Sequence, residues 1–451
     1  MICLQCGHRS HQWLGRCPDC SAWESFVEEP PLVTRETQRP TEGAPTVLIG
    51  AVETVSAARI QTGLGELDRV LGGGLVSGSV ILVAGEPGVG KSTLLLQVAA
   101  GVERQGKQVL LVCGEESVEQ VAARARRLRA PRRTTLTAST DLGSIVPLMT
   151  GTDVVLVDSI QSLRANQSGG EPGSVAQVRH CAMGLTEAAR QTGAALVLVG
   201  HITKDGSSAG PRALEHLVDV VVTFEGDRGH YLRTVRGIKN RYGATGELGV
   251  FQMGPKGLSE VPDASRFFLA ERHSESAGSA VGCVIEGRRS LALEIQALVM
   301  PCKPPAVPRR VAQGLEFSRL GVALAVLQKH CGVQISDCDI YASVAGGLRA
   351  SEPAIDLPLC LALYSSRTDK PIPPGVAAVG EVGLAGEVRS VPGLQVRVNE
   401  LFRLGFHTVI APPVHGSDSV VDITDAKGPK VVWAASLSKA ISILSRISHS
   451  E

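Results

Sequence analysis

The stretch 80-VILVAGEPGVGKSTLLLQVAAG-101 decides the fold. It opens with VILVA, an apolar, largely β-branched run with the length of a buried strand, and closes with a leucine- and alanine-rich run that reads as a helix. Between them, GEPGVGKST (85–93) satisfies the pattern G-x-x-x-x-G-K-[ST] in the strand-then-helix context that the pattern needs. Gly85, Gly88 and Gly90 let backbone N–H groups turn inward around phosphates, and Glu86, Pro87 and Val89 complete the loop. Lys91 is placed to reach the β- and γ-phosphates, and Ser92 to ligate Mg²⁺. Thr93 begins a helix whose N-terminal dipole favours an anion. The implied ligand is a nucleoside triphosphate such as ATP with Mg²⁺.

Downstream, VLLVC (109–113), VVLVD (154–158), ALVLVG (195–200) and VVVTF (220–224) repeat the short apolar run, separated by stretches with helical character. Such alternation predicts an α/β fold, a parallel sheet with helices on both faces, over 61–270. Asp158 closes its strand with a carboxylate and is expected to hold the Mg²⁺ shell. In CGEES (113–117), Glu115 or Glu116 is expected to be the general base; Glu115 is favoured, and the other begins the next helix. A polar stretch at 271–280 reads as a hinge, and a second α/β pattern occupies 271–451. It contains two strands around a turn in SAVGCVIEGRRSLALEIQALVM and helices in GLEFSRLGVALAVLQKHCG and AIDLPLCLALYSSR.

Upstream, residues 28–60 mix Pro, charge and Thr without an apolar period and read as a linker. Residues 1–27 carry Cys3, Cys6, Cys17 and Cys20 as C-x2-C-x10-C-x2-C. Two such pairs supply the four thiolates of a closed tetrahedral zinc site, so the expected role is structural. A redox site would use one such pair beside a helix. His8 and His11 lie between the pairs and are expected to face solvent or a partner, and Gly7 and Gly15 suit tight turns. A segment this short needs the metal to fold.

The 451 residues imply two to four domains, and 45 Lys and Arg against 44 Asp and Glu exclude a chain-wide basic or acidic surface. The 11 Cys, an odd number unevenly spread, do not form a disulfide framework. No apolar run approaches the ~18 residues of a membrane span. MICLQCGHRS lacks the apolar core of a signal peptide, so no membrane partner and a cytoplasmic location are expected.

Two further stretches carry cations. KNRYG (239–243) sets Lys239 and Arg241 on either side of Asn240, and HITKDGSSAGPRALEH (201–216) is a Gly/Ser-rich stretch with Lys204 and Arg212. Mobile small residues with cations suit a loop that orders around single-stranded nucleic acid. RARRLRAPRR (124–133) holds six Arg but also reads as the solvated face of an ordinary helix.

Together, the four-cysteine motif, GEPGVGKST, GEES, the 201–219 stretch and KNRYG resemble the RecA-like ATPases, and within them the bacterial recombination and repair branch whose C-terminal domain is similar to the Lon protease domain. The resemblance covers essentially the whole chain. It implies a homohexameric ring with ATP between subunits and Lys239 and Arg241 reaching the neighbour's γ-phosphate; a DNA contact for Arg241 is the second reading. The pentapeptide usually has Phe where this chain has Tyr242. Lys204 and Arg212 would line a channel holding single-stranded DNA. The implied activity is DNA-dependent ATP hydrolysis driving branch migration and D-loop extension on branched DNA, with a recombinase or a replicative helicase as partner. The alternatives are an ATP-gated scaffold and a Lon-type protease. The Lon-type Ser position falls at Ala354, after Pro353, with Asp356 where Gly would stand, and the Lys position falls at Arg397. Ser351 and Ser343 are off the matching position. Protease chemistry is therefore not expected, and Arg309, Arg310 and Arg349 are candidates for a basic rim.

Overall fold

The structure, a computed structural model, describes residues 1–3, 5–8, 10, 12–27, 59–128, 133–165, 170–201, 213–226, 231–273, 275–302, 307–413 and 430–448. The chain divides into two compact units, Met1–Glu260 and Val261–Glu451. The boundary falls ten residues before the one expected at 270, because helix 264–269 packs on a strand of the second unit.

In the first unit, β1 (Ile2–Cys3) pairs antiparallel with β2 (Phe26–Val27) to close the cysteine ribbon. The remainder runs α1 (Gly65–Leu71), β3 (Val80–Gly85), α2 (Lys91–Glu103), β4 (Val109–Cys113), α3 (Val118–Arg127), β5 (Thr135–Thr137), α4 (Leu142–Ile145), β6 (Val154–Asp158), α5 (Val175–Thr192), β7 (Ala195–His201), β8 (Val220–Glu225), β9 (Leu232–Asn240), β10 (Leu248–Gly254) and β11 (Gly257–Glu260). These strands form one sheet in the order β11-β10-β9-β8-β3-β7-β6-β4-β5. The run from β8 to β5 is parallel, as the apolar strands predict. β9, β10 and β11 extend it as an antiparallel meander, which the sequence reading did not contain.

The strands are apolar without alternation because both faces are covered. Ile81, Val83, Leu111 and Leu156 pack on one side with Leu94, Leu95 and Val98 of α2. Val80, Leu82, Val112 and Val155 pack on the other with Val178, Cys181 and Leu185 of α5. Successive strand residues thus feed opposite cores, as a period of two requires. The parallel strands all bring their carboxyl ends to one edge, where ligands bind in open α/β sheets.

The second unit contains α6 (Ala264–Leu269) and a sheet of order β12-β13-β15-β14. Its strands are β12 (Ser279–Glu286), β13 (Arg289–Pro301), β14 (Arg310–Gln313) and β15 (Cys338–Val344). α7 (Phe317–Cys331) and α8 (Asp356–Thr368) coincide with the two predicted helices. A parallel trio of order β16-β19-β20 follows, made of β16 (Val376–Ala378), β19 (Thr408–Ala411) and β20 (Lys430–Trp433). A short hairpin of β17 (Glu381–Val382) and β18 (Val388–Arg389), then α9 (Leu394–Arg403) and α10 (Leu437–Ser448), complete it.

Candidate functional site

The loop 85–93 leaves the carboxyl end of β3 and runs into α2, whose first residue is Lys91. Two of its glycines are dictated by their surroundings. A Cβ on Gly85 would stand 2.4 Å from the Phe224 carbonyl oxygen. Gly90 has φ +117°, and a Cβ there would stand 2.5 Å from Met253 Cε. Lys91 is buried, and its Nζ donates to the carbonyls of Gly85 (2.8 Å) and Glu86 (2.9 Å). Burial pushes its ammonium below the usual lysine range, opposed by Asp158 and Glu115. This is a cation kept close to carboxylates and free of ion pairing in its hydrogen bonds, as a phosphate-binding lysine requires.

Asp158 ends β6, paired in register with Cys113 at the end of β4. Burial raises its carboxyl above the ordinary carboxylate range, opposed by a hydrogen bond from Ser92. Ser92 and Asp158, the two expected Mg²⁺ ligands, are therefore brought together.

Two residues beyond Cys113, Glu115 accepts a hydrogen bond from the Ser159 hydroxyl and lies 3.2 Å from His201 Nε2. The His201 ring is the first cause that holds Glu115 down at about 2, with Ser159 and Lys91 assisting. Glu116 instead pairs with Arg124 of α3 at 2.5 Å, while Ser117 caps that helix through a capping box. The two glutamates thus have different surroundings: Glu115 faces His201 and Ser159, and Glu116 stands just before the helix.

His201 and Ser159 were given no role by the sequence. The signal was available for His201, which closes the fourth apolar strand and is the register partner of Gly85. Arg233, at the start of β9, was also missed; it donates from Nε to the Val89 carbonyl at 2.9 Å and so braces the phosphate loop from the meander. At the same edge of the sheet, Gln161 Oε1, His201 Nδ1 and Thr223 Oγ1 are buried without a hydrogen-bond partner among the described residues. Buried polar atoms are almost always paired. Three such atoms beside a phosphate loop, a buried lysine and a Ser–Asp pair fit a polar ligand of the Mg²⁺–nucleotide kind.

KNRYG lies elsewhere. Asn240 is the register partner of Val220 at the start of β8, whereas Gly85 pairs with Phe224 near its end. Lys239 and Arg241 are therefore about 13 Å along the strands and two strand spacings, about 10 Å, across from their own phosphate loop. Lys239 Nζ donates to the carbonyls of Glu215 (2.6 Å) and Val218 (2.8 Å), at the far end of the sheet, and Arg241 pairs with Asp219 at 3.1 Å. Lys204 and Arg212 lie outside the described residues.

In the ribbon, the Sγ atoms of Cys3, Cys6, Cys17 and Cys20 all lie within 4.8 Å of one another. Cys3–Cys20 is 3.6 Å and Cys6–Cys17 is 3.4 Å. A tetrahedron with Zn–S near 2.3 Å has sulfur separations of about 3.8 Å, so the four thiols fit zinc. His8 turns to Asp19 at 2.9 Å, away from a ligand role.

In the second unit, Ala354 is fully buried, and Arg397 of α9 is the largest fully buried side chain among the described residues. Arg397 is held by Glu352 on both of its Nη atoms, by the Cys283 carbonyl at 2.7 Å and by the Pro392 carbonyl at 3.0 Å. Asp356 is held by Arg319 at 3.0 Å and 3.2 Å. A methyl group and a guanidinium tied to a carboxylate offer neither nucleophile nor base. Among the described residues, no helix is long and apolar enough to cross a membrane.

Residues 46–207 match the family described as AAA domain, and residues 2–28 match the family described as rubredoxin metal binding domain. Over 449 residues the chain is 42% identical to DNA repair protein RadA of Bacillus subtilis (strain 168), covering 98% of this chain and 97% of that one. It is 43% identical over 427 residues to DNA repair protein RadA of Brucella abortus (strain 2308), covering 91% of each. It is 44% identical over 417 residues to DNA repair protein RadA of Streptococcus pyogenes serotype M1, covering 91% of this chain and 92% of that one.

Proposed function

The chain belongs to the RadA family of DNA repair proteins, and on that premise we propose that it is a DNA-dependent ATPase acting as a ring-shaped motor on recombination intermediates. Single-stranded and branched DNA are its substrates, and branch migration with D-loop extension is its work. The ring is a homohexamer in the cytoplasm, and the ribbon and the second unit, read as a Lon-protease-like platform, meet a recombinase or a replicative helicase.

The observation that carries this reading is the position of KNRYG. Its cations sit at the end of the sheet opposite the phosphate loop of the same chain. Lys239 and Arg241 can meet a γ-phosphate only if it is bound to another copy. A cation delivered across such a boundary stabilises the phosphoryl-transfer transition state and typically accelerates it by ~10³–10⁵-fold. The residues of the chain's own loop have separate tasks. Gly85 to Thr93 cradle the phosphates, Lys91 neutralises them, and Ser92 with Asp158 holds Mg²⁺, which supplies charge neutralisation at the phosphates. Glu115, held ionised, takes the proton of the attacking water. Lys204 and Arg212 neutralise DNA phosphates in the channel. The second Arg241 reading, a DNA contact, has less support, because Arg241 shares its turn with Lys239 and is paired to Asp219.

The test is steady-state ATP hydrolysis with and without single-stranded DNA, on the parent and on Lys239→Ala. The parent is expected to be stimulated by DNA, and the variant to bind ATP with parental affinity while losing at least about 10³ in turnover. Equal turnover with and without DNA in the parent would move the assignment to an ATP-gated scaffold.

A further inference from the structure

The chain enters the ATPase core by folding back onto the turn that carries KNRYG. Ile60 and Leu75 exchange both backbone hydrogen bonds, each at 2.8 Å, which fixes the entering segment against the chain just after α1. From the preceding residue, Arg59 Nη2 donates to the Tyr242 carbonyl at 2.8 Å and Nη1 reaches the Leu71 carbonyl at 3.5 Å. Leu71 ends α1, and its C-cap, Gly72, is left-handed with φ +80°. The backbones meet there: a Cβ on Gly72 would stand 3.1 Å from Gly243 Cα and 3.2 Å from the Tyr242 oxygen. Asn240 ties the same two elements from the other side, donating to the Val70 carbonyl at 3.2 Å and accepting from the Tyr242 N–H at 2.8 Å.

We propose that Arg59 is a positioning residue for the trans-acting turn: by bridging the end of α1 to the Tyr242 carbonyl, it fixes the backbone from which Lys239 and Arg241 project. The proposal rests on the reading that these cations act on a neighbouring chain's nucleotide. The reason for arginine is geometric. A planar fork satisfies two carbonyls on different elements at once, whereas an ammonium is a single point charge. The turn gains from such a clamp because its own cations are otherwise engaged: Lys239 holds Glu215 and Val218, and Arg241 holds Asp219. Moving them to a phosphate exchanges those contacts, and a backbone fixed at Tyr242 keeps the turn in place while the side chains swing. Misplacement of a catalytic group by about 1 Å can cost ~10²-fold in rate.

The experiment uses the full chain with DNA and compares the parent, Arg59→Ala, Arg59→Lys, Lys239→Ala/Arg241→Ala, and the triple variant. Arg59→Ala is expected to lower DNA-stimulated kcat by about 10–10²-fold, with KM for ATP within about twofold of the parent, since the phosphate loop lies at the other end of the sheet. Arg59→Lys is expected to recover part of the loss. In the Lys239→Ala/Arg241→Ala background, adding Arg59→Ala should change kcat no further, which a general folding defect would not reproduce. If Arg59→Ala keeps parental kcat while Lys239→Ala/Arg241→Ala loses it, the clamp assignment is overturned and the trans-acting turn stands. If Lys239→Ala/Arg241→Ala keeps parental kcat, the trans-acting turn itself falls. A rise in KM that matches the fall in kcat, or an additive loss in the triple variant, also overturns the assignment.

Discussion

Glu115 owes its state to three neighbours from three parts of the chain: His201 from β7, Ser159 after β6, and Lys91 at the start of α2. An unconstrained glutamate titrates near 4.3, whereas this one is held at about 2. The lowered value means that ionised Glu115 stabilises the fold above about pH 4.3, and that this contribution fades as pH falls towards 2. It also means that Glu115, the proposed base, stays ionised throughout any ordinary assay. The parent's kcat profile should therefore have no acid limb from this group above about pH 5. His201→Ala removes the first of the causes, so its acid inflection should sit higher than the parent's; identical inflections would remove His201 from this role. Glu115→Gln should bind ATP normally and lose about 10²–10⁴-fold in kcat. The split between Glu115 and Glu116 was legible in the sequence only as a preference. What separates them is Arg124, nearly two turns into α3, which takes Glu116.

At the scale of elements, the parallel strands were legible because burial on both faces leaves no polar position to obscure them. The meander was not. β9 reads LRTVRGIKN, with five polar or charged side chains among mixed apolar ones. Its Arg233 is buried against the phosphate loop, where a charged residue disguises a core position. α2 offers a test of how closely these elements fit. Its Gly101 is a poor helix residue, and Ala would improve intrinsic propensity by about 1 kcal/mol. A Cβ there, however, would stand 1.8 Å from the Thr62 carbonyl oxygen and 2.8 Å from Gly63 Cα. Backbone has to move, at a cost of about 1–3 kcal/mol or more. Gly101→Ala is expected to lower the thermal midpoint despite its better propensity, and a raised midpoint would contradict the packing of α2 on the 62–63 segment.

For the whole molecule, the cysteine ribbon is the part whose order of events is clearest. Among the described residues its buried apolar cluster consists of Cys3, Cys17 and Phe26, too little to offset the entropy of ordering a segment of that length. Metal binding supplies the difference. A strong chelator should release zinc and increase proteolysis within 1–27, while nucleotide binding at 85–93 is retained; a ribbon that resists both chelator and protease would refute a metal-dependent fold. The spacing of four cysteines announced this module outright. The helices and strands of the second unit were legible, and so were Ala354 and Arg397 in place of Ser and Lys; not legible were Glu352 as the partner of Arg397 and the complete burial of Ala354.

The separation of KNRYG from its own phosphate loop has an arithmetic consequence. If the turn acts on a neighbour's nucleotide, as proposed, each chain is half of one reaction centre and half of another. An open row of n chains has n − 1 finished centres, and only a closed circle has n. Activity per chain then climbs with assembly and reaches its maximum on closure. Dilution should lower turnover more steeply than in proportion to the chains present. A chain with a dead nucleotide loop but an intact turn would still serve its neighbour on one side, and a chain with the opposite defect would fail that same neighbour while its own loop awaits a turn from the other side. Two inactive proteins would then be complementary, and the direction of help would reveal the polarity of the circle.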